Sequence, residues 1–79
     1  MMVWIRAAAR AIREEHGRSP ARIAVERDVR ESTVTRFEAG RTTQIDVDSM
    51  IAAYSDATDV PPIEFWRRAI EMWQASQPG

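Results

Sequence analysis

The chain has 79 residues, of which 44% are hydrophobic and 29% are charged, which fits a single small domain spanning residues 1–79. It has no cysteine and one histidine, so disulfides, thiolate metal sites and cysteine nucleophiles are excluded, and no metal or cofactor is expected. No apolar run approaches the roughly 20 residues of a membrane helix, and no apolar signal core opens the chain, so we expect a cytoplasmic protein.

The net charge of −1 is unevenly distributed along the chain. Residues 1–45 hold nine Arg and six acidic residues, whereas residues 46–79 hold two Arg and six acidic residues. The whole chain is therefore less basic than a typical nucleic-acid binder, but its first half is basic. Every basic residue other than the histidine is Arg, which suits forked contacts to phosphate or guanine, although a GC-rich genome produces the same bias.

Residues 3–16 predict a first helix. Apolar residues from Ile5 to Ile12 recur at the spacing of one helical face, and Gly17 marks the end of the helix. His16 lies beside that glycine, where a surface ring is a simpler explanation than a chemical role.

Residues 19–40 predict two short helices joined by a tight turn. Ser19 suits the cap that accepts a free backbone N–H, and Pro20 suits the first helical position, where its missing N–H costs nothing. The turn falls at Asp28, and Gly40 ends the second helix, which is predicted over residues 30–39.

Four apolar residues form the predicted inward faces of this helical pair. Ile23 and Ala24 precede the turn, while Val34 and Phe37 follow it, three residues apart on one face. Because Ala24 is small, the two helices can approach each other closely.

This stretch resembles the lambda-repressor-like, or Cro-like, helix-turn-helix family, also called the xenobiotic-response-element group. The matching positions are Ser19, Ile23, Ala24, Val29, Thr33, Val34, Arg36, Phe37, Glu38 and Gly40. The resemblance implies an all-α, compact five-helix lambda-repressor-like DNA-binding domain, with helix 30–39 in the major groove of double-stranded DNA. Here the domain would carry an extended, Trp-rich C-terminal helix.

The chain departs from the family pattern at several positions. Pro20 stands where the family usually has a Gln that contacts DNA, Asp28 replaces the turn glycine, and Arg30 replaces a hydroxyl cap. Asp tolerates a left-handed backbone, and Asp28 with Glu31 has the spacing of a capping box. These departures are therefore easier to reconcile with the fold than with the family's DNA contacts.

Carried over residue by residue, the resemblance assigns base reading to Glu31, Ser32 and Arg36. The resemblance further implies contacts to the DNA backbone, and for some of these residues an ordinary solvated loop is the alternative. The implied contact residues are Ser19, Arg30, Thr33, Thr35, Arg41, Thr42 and Thr43. The resemblance also implies a structural ion pair between Arg13 and Glu38, for which the alternative is two solvated charges.

Residues 46–58 predict a fourth helix with Asp46 as its cap. Its apolar residues follow the i, i+3, i+4, i+7 rule, so this is a core helix. They are Val47, Met50, Ile51, Tyr54 and Ala57. We expect Tyr54 to pack as a ring with its hydroxyl in water.

Residues 62–76 predict a fifth helix with two adjacent apolar stripes. One stripe holds Ile63, Trp66, Ile70 and Trp73, and the other holds Phe65, Ala69 and Met72. We expect only the first turn to pack within the domain, which leaves an oligomer or partner interface, most simply a homodimer. This interface, the Trp66–Trp73 face, consists of Trp66, Ile70, Met72 and Trp73. The alternative is that the stripe folds back on the first helix near Trp4 and Ile5.

The leading functional hypothesis is a sequence-specific, DNA-binding transcriptional regulator, of the size of a small phage or bacterial Cro-like repressor. The alternative is a protein-binding module with the same fold, such as an antitoxin, an anti-repressor or a host-factor inhibitor, that acts through the Trp66–Trp73 face. An enzyme is not expected, because the chain has no Gly-rich phosphate loop, no cysteine and no isolated pair of carboxylates among apolar residues.

Overall fold

A computed structural model describes residues 2–41 and 46–78, which form helices around one core. The helices of this part are α1 (Met2–Glu15), α2 (Pro20–Arg27), α3 (Glu31–Glu38), α4 (Val47–Thr58) and α5 (Pro62–Ser76). No strand occurs among these residues, so the predicted all-α, five-helix architecture is confirmed. None of these helices combines the length and apolar character that crossing a membrane requires.

The core is a cluster of buried side chains to which each of these helices contributes. Its largest members are aromatic: the ring centroids of Phe37 and Tyr54 lie 5.9 Å apart, and those of Tyr54 and Phe65 lie 6.2 Å apart. Tyr54 therefore joins α3, α4 and α5 at the centre of the molecule. The smaller members of the cluster on α1, Ala8 and Ala9, are fully buried and let the neighbouring helices approach closely.

The turn between α2 and α3 is built on Asp28. Its φ of 55° is left-handed, as expected, and the N–H of Val29 donates to the carbonyl of Ala24 at 3.0 Å. The predicted capping box between Asp28 and Glu31 is wrong. The cap of α3 is Arg30, which makes no side-chain cap bond, and Asp28 serves instead to end α2.

Glu38, the last residue of α3, binds side chains from two other helices. Arg13 of α1 donates to both carboxylate oxygens, from Nε at 2.7 Å and from Nη2 at 2.9 Å, and the Tyr54 hydroxyl of α4 donates at 2.6 Å. The ion pair that the resemblance implied is therefore present. The expectation of a water-exposed hydroxyl is wrong, because Tyr54 is fully buried and needs a hydrogen-bond partner inside the protein. We call Arg13, Glu38 and Tyr54 the Glu38 network.

Helix α5 packs into the domain from Phe65 as far as Met72, so the expectation that only its first turn packs there is wrong. Phe65 and Ala69 are buried, while Trp66 and Met72 are half-buried against the core. The helix lies mainly against α1, because the stripe containing Phe65 and Ala69 turns inward. Two residues of the Trp66–Trp73 face remain exposed, namely Ile70 at 44% and Trp73 at 42%.

Replacing Arg13 with Met should lower the free energy of unfolding by about 3–5 kcal/mol, because it leaves the Glu38 charge buried without its partner. Arg10→Met is the matched control, since the Arg10–Glu14 pair is exposed to water and such pairs contribute at most about 1 kcal/mol. Denaturant unfolding of the two variants measures the difference. Equal losses of stability would contradict a structural role for the Glu38 network.

The pKa of Tyr54 is raised, first by burial and then by the hydrogen bond to Glu38. In the unfolded chain its phenol titrates near the reference pKa of about 10. The folded state therefore retains the proton at a pH where the unfolded state loses it. Stability is fully present below about pH 10 and falls above it, by about 1.4 kcal/mol per pH unit.

Tyr54→Phe should weaken the protein at neutral pH by about 1.5–3 kcal/mol and should also remove this alkaline loss. The chain has one Tyr and no Cys or Lys, the residue types whose reference pKa values lie between about 8 and 11. Unfolding free energies measured from neutral pH to about pH 11 test the prediction. An alkaline slope as steep in Tyr54→Phe as in the parent would show that it has another origin.

Candidate nucleic-acid interface

The exposed face of α3 carries polar and charged side chains only. It consists of Glu31, Ser32, Thr35 and Arg36, and we call it the outward face. At 3.6 residues per turn, Ser32 lies at its centre, Thr35 and Arg36 lie on either side, and Glu31 lies at its edge. The two buried residues of α3 point the opposite way. The base-reading residues that the resemblance implied thus share one solvent-facing surface.

Contacts at its buried side and at its last turn hold α3 in place. Val34 and Phe37 are fully buried. The guanidinium of Arg6 lies 5.2 Å from the centre of the Phe37 ring, and its Nη1 donates to the Phe37 carbonyl at 3.0 Å. That carbonyl belongs to the last turn and also accepts a hydrogen bond from the N–H of Gly40 at 3.1 Å, so Arg6 adds a second donor at the end of α3. Together with the Glu38 network, these contacts fix α3 without using its outward face.

The arginines of the described residues fall into two groups. In the first group, each side chain has a carboxylate or a backbone carbonyl as partner. Carboxylates bind Arg10, Arg13, Arg22, Arg67 and Arg68, and carbonyls bind Arg6 and Arg18. In the second group, each arginine side chain has no ion pair within 4 Å and no side-chain hydrogen bond to any of residues 2–41 and 46–78. We call this group the unpaired arginines: Arg27, Arg30, Arg36 and Arg41.

The unpaired arginines are close to one another along the chain and are all exposed. Arg27 ends α2, Arg30 caps α3, Arg36 lies in the last turn of α3, and Arg41 follows that helix. The backbone N–H of Arg41 donates to the Arg36 carbonyl at 2.9 Å, which keeps the chain against the end of α3. Cationic groups without internal partners are thus available at both ends of α3 and on its outward face.

Few acidic groups oppose these cations. In the described stretch from Arg27 to Arg41, Glu38 is neutralised by Arg13, which leaves Asp28 and Glu31 as exposed carboxylates without an ion pair. Outside that stretch, the pKa of Asp46 is lowered mainly by hydrogen bonds from Ser49 and to a smaller extent by the charge of Arg27, so Asp46 opposes one of the four cations. The unpaired charge around α3 is therefore positive, although the chain as a whole is slightly acidic.

The hydroxyl residues expected at the DNA backbone differ in their surroundings. Ser19 accepts a hydrogen bond at 3.2 Å from a backbone N–H of α2 and so acts as its cap, as expected. Thr35 donates to a carbonyl one turn earlier at 3.1 Å, and Thr33 is half-buried. Thr42 and Thr43 lie outside the described residues. The cations Arg30 and Arg41, by contrast, have no competing partner within the described part of the chain.

Sequence reasoning missed two contributors. Arg27 has no assigned role in the sequence analysis, but it adds a cation beside the turn. Tyr54 lies on an apolar stripe, and a buried phenol needs an acceptor. That requirement is a signal readable from the sequence, although the sequence alone does not identify Glu38 as the acceptor.

A groove between α1 and α5 is the other surface that concentrates charge. Its arginines are bound by its own carboxylates: Arg68 donates to Glu15 at 2.6 Å, and Arg67 lies 3.3 Å from Glu64. Within the part of the chain that the structure describes, no group of His, Cys, Asp or Glu has the arrangement of a metal site. The surface around α3 is therefore the better candidate for binding a charged partner.

Comparisons with known proteins find no matching family model, and no curated protein and no solved structure is significantly similar to this chain. The ligand of the α3 surface is therefore inferred from the chemistry and geometry of its own residues.

Phenylglyoxal attacks free guanidinium groups. A limiting amount of it should modify Arg30, Arg36 and Arg41 before Arg13 and Arg68. The latter two should react more slowly because each is held by a bidentate carboxylate. Peptide mapping by mass spectrometry at several reaction times gives the order. The same reaction in denaturant is the control, since unfolding should remove the differences. Early modification of Arg13 in the folded protein would contradict the described pairing.

Proposed function

We propose that this protein is a sequence-specific DNA-binding regulator that places α3 in the major groove, as a small Cro-like repressor does. One observation carries the proposal: the unpaired arginines cluster around α3, whereas every other arginine in the described residues has an internal partner. Unpaired cations beside a polar helix face suit a partner with regularly spaced negative charges, and duplex DNA is such a partner.

The outward face has suitable chemistry for reading bases. Arg36 can donate two hydrogen bonds to the O6 and N7 atoms of guanine, and Ser32 can bond to more than one base. Arg30 and Arg41, at opposite ends of α3, suit phosphates on either side of the groove and would set the register of the helix without reading sequence. Arg27 extends this basic surface to the end of α2.

The acidic second half of the chain is compatible with this role. Its carboxylates lie on α4 and α5 or at their ends, whereas the unpaired arginines surround α3. When charge of one sign is concentrated on one side of a small protein, it orients the protein toward a ligand of opposite charge and increases the association rate. The slightly negative total charge therefore does not oppose DNA binding at α3.

A second copy of the chain would complete the DNA site. A single eight-residue helix contacts few base pairs, and each good contact contributes only about 1–3 kcal/mol of discrimination. Two copies that read half-sites one helical turn apart would double the number of contacts. The exposed part of the Trp66–Trp73 face, Ile70 and Trp73, is the surface we propose for this homodimer.

A protein-binding module is the second candidate function. The exposure of Ile70 and Trp73, together with Ile63 at 62%, favours it, because large apolar side chains on an exposed helix suit a protein partner. In that case α5 would bind the partner and α3 would only support the fold. The two candidates differ in the salt dependence of their binding.

Selection from random duplexes at low salt should enrich a sequence motif, and affinity for that motif should fall steeply as salt rises, because phosphate contacts release counterions. Arg41→Ala should weaken binding to all sequences and reduce the slope of log affinity against log salt by about 1. Arg36→Ala should instead relax specificity at one base pair, by about 1–3 kcal/mol.

Arg67→Ala is the matched control for both variants. It removes an exposed arginine on α5 that is paired with Glu64, so the motif and the salt slope should stay as in the parent. An inverted repeat in the enriched motif would support the homodimer. If nothing is enriched and Arg36→Ala and Arg41→Ala retain as much DNA as the parent, DNA binding is wrong and the Trp66–Trp73 face becomes the leading site.

A further inference from the structure

Glu31 carries a negative charge without an ion-pair partner on the outward face, whose other charged residue is Arg36. It is the first residue of α3, is exposed, and lies at the edge of the outward face. Other glutamates of α2 and α3 have arginine partners: Glu26 pairs with Arg22, and Glu38 pairs with Arg13. Within the described residues, no arginine lies within 4 Å of the Glu31 carboxylate, although Arg30 is its neighbour in the chain.

A free carboxylate at this position works against general DNA affinity. It repels phosphates, and it also repels the acceptor atoms that guanine and thymine present in the major groove. Cytosine is the exception, because its N4 amino group donates a hydrogen bond there and no acceptor of the same base lies beside it. Adenine also has an amino group, but its N7 acceptor is adjacent to it.

We infer that Glu31 is a specificity-determining residue that selects a cytosine by excluding other bases, and this inference rests on the proposed function. Glu31 and Arg36 are separated by about 7–8 Å along the helix axis, at 1.5 Å per residue. They can therefore contact different base pairs, and the preferred half-site contains a cytosine read by Glu31 and a guanine read by Arg36.

The competing explanation is that Glu31 only stabilises the helix. An acidic residue in the first turn interacts favourably with the helix dipole, by typically 0.3–1 kcal/mol. A purely structural role would affect unfolding and leave base preference unchanged. The two explanations are therefore separated by measuring base preference and stability on the same variant.

The experiment uses the site enriched by selection, single-base variants of that site, and a scrambled duplex of the same composition. Affinities of the parent and of Glu31→Gln are measured by fluorescence anisotropy at one salt concentration. For the parent, replacing the cytosine with thymine should weaken binding about 5- to 150-fold. For Glu31→Gln that penalty should largely disappear, while affinity for the scrambled duplex should rise, because a repulsive charge has been removed.

Glu71→Gln is the matched control, since it removes the same charge from an exposed position on α5. It should leave the cytosine preference of the parent intact. A cytosine preference that is equally strong in Glu31→Gln and the parent, with or without lower thermal stability, would overturn the inference while DNA binding stands. A parent that shows no salt-dependent DNA affinity would overturn the proposed function and this inference with it.

Discussion

The buried carboxylate of Glu38 is the group on which the placement of α3 depends. Burying a charge is costly, and a negative charge at the C-terminal end of a helix also faces an unfavourable dipole. Here two N–H groups of Arg13 and the hydroxyl of Tyr54 bind the carboxylate. Among the described residues, no buried side-chain nitrogen or oxygen lacks a hydrogen-bond partner. Three helices thus meet at one satisfied charge, and the end of α3 is fixed from inside the protein.

This internal anchoring leaves the opposite side of α3 available for binding. Arginine serves both purposes in this chain: Arg13 and Arg6 hold α3 against α1 and the core, whereas Arg36 and Arg41 have no internal partner in the described residues. The same guanidinium chemistry suits both tasks, because its fork matches a carboxylate inside the protein and a phosphate or guanine outside it. The cations available for the proposed DNA contacts are therefore set by which arginines are already bound, and not by how many the chain contains.

Local features of the sequence predicted the helices well. Apolar periodicity and the caps Ser19 and Asp46 located them, since these signals act over one or two turns. Long-range features were harder to predict. The hydroxyl of Tyr54 donates to an acceptor that lies 16 residues away in the chain. The two adjacent apolar stripes of α5 look equivalent in sequence, so only packing against α1 determines which of them faces inward. For the candidate site, the sequence supplied the residue types, whereas pairing in the folded state separated the unpaired arginines from the others.

The most direct measurement of the central claim is an NMR titration of the ¹⁵N-labelled protein with a short duplex of mixed sequence. Our account predicts that chemical shifts change mainly in residues 30–41, with the arginine side-chain signals of Arg36 and Arg41 among them, and that the changes diminish as salt is added. Changes confined to residues 63–73, or no change at low salt, would contradict DNA binding by α3.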